Sequence, residues 1–294
     1  MISDYFYTMK VLVISSVILL LWVLFAQSCM SFRTNDRDAK QEFEKKGVSL
    51  MTASVNIDGH TIHYVQSGND SLPTIIFIHG TPGSWNSFER YLSDTQLLQH
   101  FRLISIDRPG FGYSDFGNPE HLQKQSALIG PLIASLKNGK PVYLAGHSYG
   151  GPLVFNLAAD NPYLFAGLVI ISGSVDPAKE KPEKWRPVLF RTPLNHLVPG
   201  AMRPSNVELW YLKKDLVLLR EDFGKIHCPV IFIHGDKDTW VPPGNVTYAQ
   251  ALLVNAASIK VFLLPGADHF IPWTRYAEIK AVLLKLGQSN AGGY

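Results

Sequence analysis

The residues with the greatest chemical potential lie in one hexapeptide, Gly146-His147-Ser148-Tyr149-Gly150-Gly151. Apolar Pro141-Val142-Tyr143-Leu144-Ala145 precedes it, and the helix-compatible run 152–159 follows. Gly-x-Ser-x-Gly between a strand and a helix puts a serine on a sharp turn with its hydroxyl exposed. Glycine is needed two positions to either side, because larger side chains there would collide with the adjoining strand and helix. A serine hydroxyl is almost fully protonated at neutral pH. To attack a carbonyl it needs an adjacent base, and the base needs an acid that holds its tautomer. Ser148 is the candidate nucleophile.

The segment Pro265-Gly266-Ala267-Asp268-His269-Phe270 follows the last apolar run and precedes a helical pattern, so His269 sits on a loop and is the candidate base. His79, His147 and His234 stand at strand ends, where structural hydrogen bonds are the simpler reading. His60, His100, His121, His196 and His227 lie in no motif. For the acid, Asp236 and Asp238 both follow the run 230–234, and Asp236 reads as a turn-capping residue. Asp176, after the run 168–172, is a further candidate. A developing oxyanion needs backbone N–H donors. The segment His79-Gly80-Thr81-Pro82-Gly83-Ser84 offers the Thr81 amide, and the start of the helix after Ser148 offers that of Tyr149.

These loops need a frame to bring them together. Short β-branched runs at 54–57, 62–66, 74–79, 103–107, 142–145, 168–172, 230–234 and 260–264 alternate with helical patterns from about residue 50. That alternation predicts an eight-stranded, mostly parallel sheet with helices on both faces. Asp58-Gly59 is a hairpin signal, so the first two strands are expected to be antiparallel. The interval 176–228 breaks the alternation and reads as a small helical cap inserted between strands six and seven. Its aromatic residues Trp185, Phe190, Trp210 and Tyr211 are candidates for lining a substrate pocket, or for simple cap core.

Taken together, the segments His-Gly-Thr-Pro-Gly, Gly-His-Ser-Tyr-Gly, Gly-Asp-Lys-Asp and Ala-Asp-His, in that order over about 50–290, resemble the α/β-hydrolase family. The turn Asp107-Arg108-Pro109-Gly110-Phe111-Gly112-Tyr113-Ser114 is similar to the family's loop after strand four. The resemblance implies an α/β-hydrolase fold and a Ser148-His269-Asp238 triad, with Asp238 favoured over Asp176. It also implies an ester-like acyl substrate cleaved through an acyl enzyme, without a cofactor. Aminopeptidase, C–C hydrolase, lactonase and perhydrolase activities on the same triad, and a non-catalytic binding scaffold, are the alternatives. Epoxide hydrolases and haloalkane dehalogenases share the His-Gly-x-Pro segment but use an aspartate where this chain has Ser148.

Composition adds boundaries. With 46% hydrophobic and 17% charged residues the chain is that of a folded protein, and a net charge of +3 gives no field suited to nucleic acid. Cys29 and Cys228 have no nearby partners for a zinc site, so no metal is expected. Residues 11–26 carry no charge and fit the apolar core of an export signal, short for a full bilayer span. Small residues before Cys29 resemble a bacterial lipoprotein signal in which Cys29 is lipidated; an uncleaved N-terminal helix is the alternative. Residues 1–28 therefore read as a signal or anchor and 29–49 as a polar spacer. The domain 50–290 is expected to be held to a membrane on the exported side of a bacterial envelope.

Overall fold

The computed structural model describes residues 2–288; the last two residues expected in the domain, 289 and 290, lie outside the described residues. Eight strands form one sheet: β1 (Leu50–Ile57), β2 (His60–Ser67), β3 (Thr74–Ile78), β4 (Arg102–Ile106), β5 (Val142–His147), β6 (Gly167–Ile171), β7 (Val230–Gly235) and β8 (Ile259–Leu264). Their spatial order is β1-β2-β4-β3-β5-β6-β7-β8. β1 and β2 pair antiparallel, as do β2 and β4, and every pairing from β4 to β8 is parallel. Asp58 and Gly59 both have positive φ, +51° and +81°. That is what a two-residue hairpin turn matching the strand twist requires.

Side chains alternate between two cores, as the two-residue strand period demands. Ile76 and Ile78 of β3, with Leu144 of β5, face a layer formed by the helices Leu122–Ser135, Gly150–Asp160 and Met202–Leu219. Ile75 and Phe77, with Tyr143 and Ala145, face the opposite layer. Trp85, Phe88 and the helix Tyr276–Gln288 lie there. Burial on both faces explains why the central strands are continuous apolar runs.

The interval between β6 and β7 forms the expected cap. It holds the short helix Arg186–Phe190, a 3₁₀ turn Pro193–Leu197 and the long helix Met202–Leu219, which ends in a second 3₁₀ turn.

The structure corrects the expectation of a spacer at 29–49. Residues Asp36–Lys45 form a helix capped by the Asn35 side chain, and its Ala39 and Phe43 are buried. Phe43 lies 6.2 Å from the Trp85 ring. Two apolar residues at i and i+4 give this charged helix a narrow stripe, enough to seat it on the core although its average composition is polar. The Arg33 guanidinium stacks 4.1 Å from the Phe116 ring centroid and donates to the Gly112 carbonyl.

The N-terminal helix runs from Ile2 to Ser28 and extends past Lys10. The stretch Tyr5–Ala26 is thus 22 residues, longer than the charge-free run, and has mean hydropathy 2.5. By length and composition it could cross a membrane.

Candidate active site

The loops at the carboxyl ends of β3, β5, β6, β7 and β8 converge on Ser148. Its φ is +54°, a region that side chains other than glycine seldom occupy. The strain is held in place from both sides: the Ser148 amide donates to Ile171 at the end of β6, and its carbonyl accepts from Gly151. A Cβ on Gly146 would lie 2.3 Å from the Gly150 carbonyl oxygen, and one on Gly150 would lie 2.2 Å from that of Ile78. Both glycines are therefore steric requirements of the turn. Gly80 is as constrained, because its Cβ would come within 2.9 Å of that of Ser148.

His269 Nε2 lies 3.0 Å from Ser148 Oγ, and its Nδ1 lies 2.8 Å from Asp238 Oδ2. With Nδ1 donating to the carboxylate, Nε2 is left as acceptor for the serine hydroxyl. Asp238 is buried, and its other oxygen accepts from the amides of Trp240 and Val241 at 3.0 and 2.8 Å. Burial works to raise this carboxyl, but the hydrogen bonds from His269 and the Val241 amide outweigh it and hold its pKa below the ordinary carboxylate range. Asp238 is thus the anion of the group.

The other carboxylates near by have different partners. Asp236 accepts from the Gly266 amide, Asp268 from that of Phe270, and Asp176 from that of Ala178. None of the three bonds His269.

Three further histidines surround the site, all neutral. His79 accepts from the Arg108 amide at Nε2 and donates from Nδ1 to the Gly80 carbonyl. Its pKa is far below the ordinary value, through burial and the Arg108 charge. His147 Nε2 donates to the His269 carbonyl, and burial together with the neighbouring His269 pushes its pKa down to about 3. His234 donates to the Val241 carbonyl and is likewise lowered by burial. All three fix the loops that carry Thr81, Ser148 and Asp238.

Thr81 follows Gly80 through a backbone turn that ends in a cis Thr81-Pro82 peptide, and Tyr149 caps the helix Gly150–Asp160. Neither the Thr81 nor the Tyr149 amide donates to a protein group among the described residues. Unspent donors beside a serine hydroxyl are what an oxyanion site would require.

The cap aromatic residues named from the sequence are not gathered around the triad. Trp185 is half exposed beneath the Arg186 guanidinium. Phe190 packs on Tyr211, which lines a cleft of about 200 Å³ with His121, Glu208 and Asp215 at the seam between cap and sheet domain. Trp210 is partly buried in the helix Met202–Leu219. Besides His147, 4.9 Å away, the rings that meet His269 belong to Trp240 and Phe270, neither of them a candidate from the sequence. Trp240 stacks on it at 5.8 Å and 16° while remaining 70% exposed, and Phe270 meets it edge-on. Their signal was adjacency, since each lies within two residues of Asp238 or His269.

The sequence matches the model of the alpha/beta hydrolase fold over residues 73–196 and that of the prolyl oligopeptidase family over 136–285. The chain belongs to the α/β-hydrolase fold family. This α/β-hydrolase is 32% identical over 113 residues to epoxide hydrolase 1 of Caenorhabditis elegans, a match covering 37% of the chain and 27% of that protein. The epoxide hydrolases it resembles in sequence are matched over 27% to 34% of their length. Among solved structures, epoxide hydrolase VrEH1 from Vigna radiata superposes with TM-score 0.65 at 18% identity, covering 82% of this chain and 98% of that one. A bacterial membrane phospholipase A superposes with TM-score 0.59 at 18% identity over 97% of this chain and 99% of that one. At such identities the likeness is one of fold.

Proposed function

We propose that this α/β-hydrolase cleaves an ester-like acyl substrate through Ser148, His269 and Asp238. The supporting observation is the unbroken hydrogen-bonded chain Asp238 Oδ2 to His269 Nδ1 (2.8 Å) and His269 Nε2 to Ser148 Oγ (3.0 Å) beside two unspent amides. Ser148 Oγ attacks the carbonyl carbon as its proton passes to His269 Nε2. The imidazolium is stabilised by Asp238, and the oxyanion accepts from the Thr81 and Tyr149 amides. Collapse expels the alcohol with the proton from His269, leaving an acyl-Ser148. Water, deprotonated by His269, then releases the acid and restores the hydroxyl. The chemistry needs no cofactor or metal.

An aspartate nucleophile, as the family resemblance implies for epoxide hydrolases, would require a carboxylate at position 148. The match to the prolyl oligopeptidase family favours one second reading, an amide substrate at the same serine. A fluorophosphonate probe followed by a panel of esters, lactones and aminoacyl amides tests both. Labelling of wild type but not Ser148→Ala, with turnover confined to esters, is expected. Absence of labelling would sink the serine hydrolase reading, and preferential amide turnover would replace the ester one.

Within the ester reading, the apolar cap supports a preference for short to medium uncharged acyl groups. A series of p-nitrophenyl esters of increasing chain length tests this, each buried methylene being worth about 0.8 kcal/mol; a preference for the longest chains would overturn it.

For location we propose membrane attachment by the N-terminal helix, on the exported side of the envelope. Retention as an anchor is favoured over lipidation of Cys29, because cleavage before Cys29 would remove the Ala26 carbonyl that accepts from Gly200. Intact mass decides, since a lipidated chain beginning at Cys29 would replace the anchor.

A further inference from the structure

The apolar N-terminal run does not part from the domain where it ends. Trp22, four residues before the last residue of Tyr5–Ala26, donates its indole N–H to the Leu197 carbonyl at 3.0 Å. The Ala26 and Met30 carbonyls accept from the Gly200 and Ala201 amides at 2.8 and 2.9 Å. Four residues of helix rise about 6 Å. The 3₁₀ turn Pro193–Leu197 of the cap is therefore held beside the apolar run, roughly one turn inside its end. If that run crosses a bilayer, this part of the cap lies at the depth of the interface and not clear of it.

The cap surface has the side chains such a depth demands. Trp185, Val188 and Leu194 are 49%, 54% and 43% exposed in and beside the two short cap elements Arg186–Phe190 and Pro193–Leu197, and Val217 and Leu218 at the end of the long cap helix are 52% and 51% exposed. Exposed Lys181, Lys184 and Arg191 are interleaved with the first three. Tryptophan settles at the water–lipid boundary because its ring is apolar and its N–H polar, and cations near it are drawn to anionic headgroups. In water this combination leaves apolar area unburied. Against a bilayer both parts are satisfied.

We propose that the cap strip from Trp185 to Leu194 is a lipid-contacting surface, seated in the headgroup layer of the bilayer that holds Tyr5–Ala26. The proposal rests on the retained-anchor reading and is independent of the catalytic one.

The test uses the full chain reconstituted in vesicles of phosphatidylcholine and phosphatidylglycerol, with phosphatidylcholine brominated on its acyl chains close to the glycerol. Bromine quenches tryptophan on contact. Wild type, Trp22→Phe and Trp185→Phe are compared in brominated and plain lipid. The quenched fraction is expected to fall in both variants, each by roughly the share of one of the six tryptophans. A fall in Trp22→Phe with none in Trp185→Phe overturns the cap proposal and keeps the anchor. Failure of the wild type to stay with the vesicles overturns both.

Discussion

Arg108 and Glu208, 100 residues apart in the chain, meet as a buried two-pronged ion pair, with contacts of 2.5 and 3.0 Å. The same guanidinium donates to the carbonyls of His79 and Gly80 at 2.9 and 3.0 Å. Arg108 thus joins the cap helix Met202–Leu219 to the loop that carries the Thr81 amide. Removing one partner strands a buried charge, which costs about 3–5 kcal/mol. Glu208→Leu should lower urea stability by that amount. Arg108→Met with Glu208→Leu should recover much of the stability but not the activity, because the His79 and Gly80 carbonyls then lose their Arg108 donors and Gly80 keeps only His79 Nδ1. Full recovery of kcat in the double variant would remove Arg108 from the positioning of that loop.

Ser148→Ala should reduce turnover by roughly five to six powers of ten. The fold should persist, since the hydroxyl's one side-chain partner, His269, keeps its bond to Asp238. Ester kinetics read the first effect and thermal unfolding the second. Activity near wild type would mean that Ser148 is not the nucleophile.

Asp238→Asn should cost on the order of 10⁴ in kcat at neutral pH, because an amide cannot fix the His269 tautomer. Asp176→Asn should cost little, since its carboxylate accepts from the Ala178 amide and does not bond His269. Rates measured on one activated ester decide the ranking, and the reverse order would reassign the acid.

His147 is neutral in the fold, with a pKa of about 3, while in the unfolded chain it titrates near 6.5. Between those values the unfolded state binds the extra proton, so stability falls as pH drops from about 6.5 toward 3. His79 and His234 are also lowered and act in the same sense. His147→Gln should therefore flatten the acid limb by about one proton, close to 1.4 kcal/mol per pH unit. Urea midpoints taken from pH 4 to 7 measure this. A slope identical to wild type would show that His147 is charged in the folded protein.

The sequence by itself determines what local sterics and periodicity control. Gly146 and Gly150 are dictated by the turn at Ser148, Asp58-Gly59 by a hairpin with positive φ, and the central strands by burial on both faces. Each constraint acts between near neighbours, so it is legible in a short string. Tertiary structure alone decides which carboxylate His269 meets. It also brings Trp240 over the imidazole, seats Phe43 against Trp85, and closes Arg108 on Glu208. These pairings join residues whose separation in the chain says nothing of their distance in space. They depend on strand order, on the placement of the cap helix and on the docking of the N-terminal segment, which a side chain's type and neighbours do not encode.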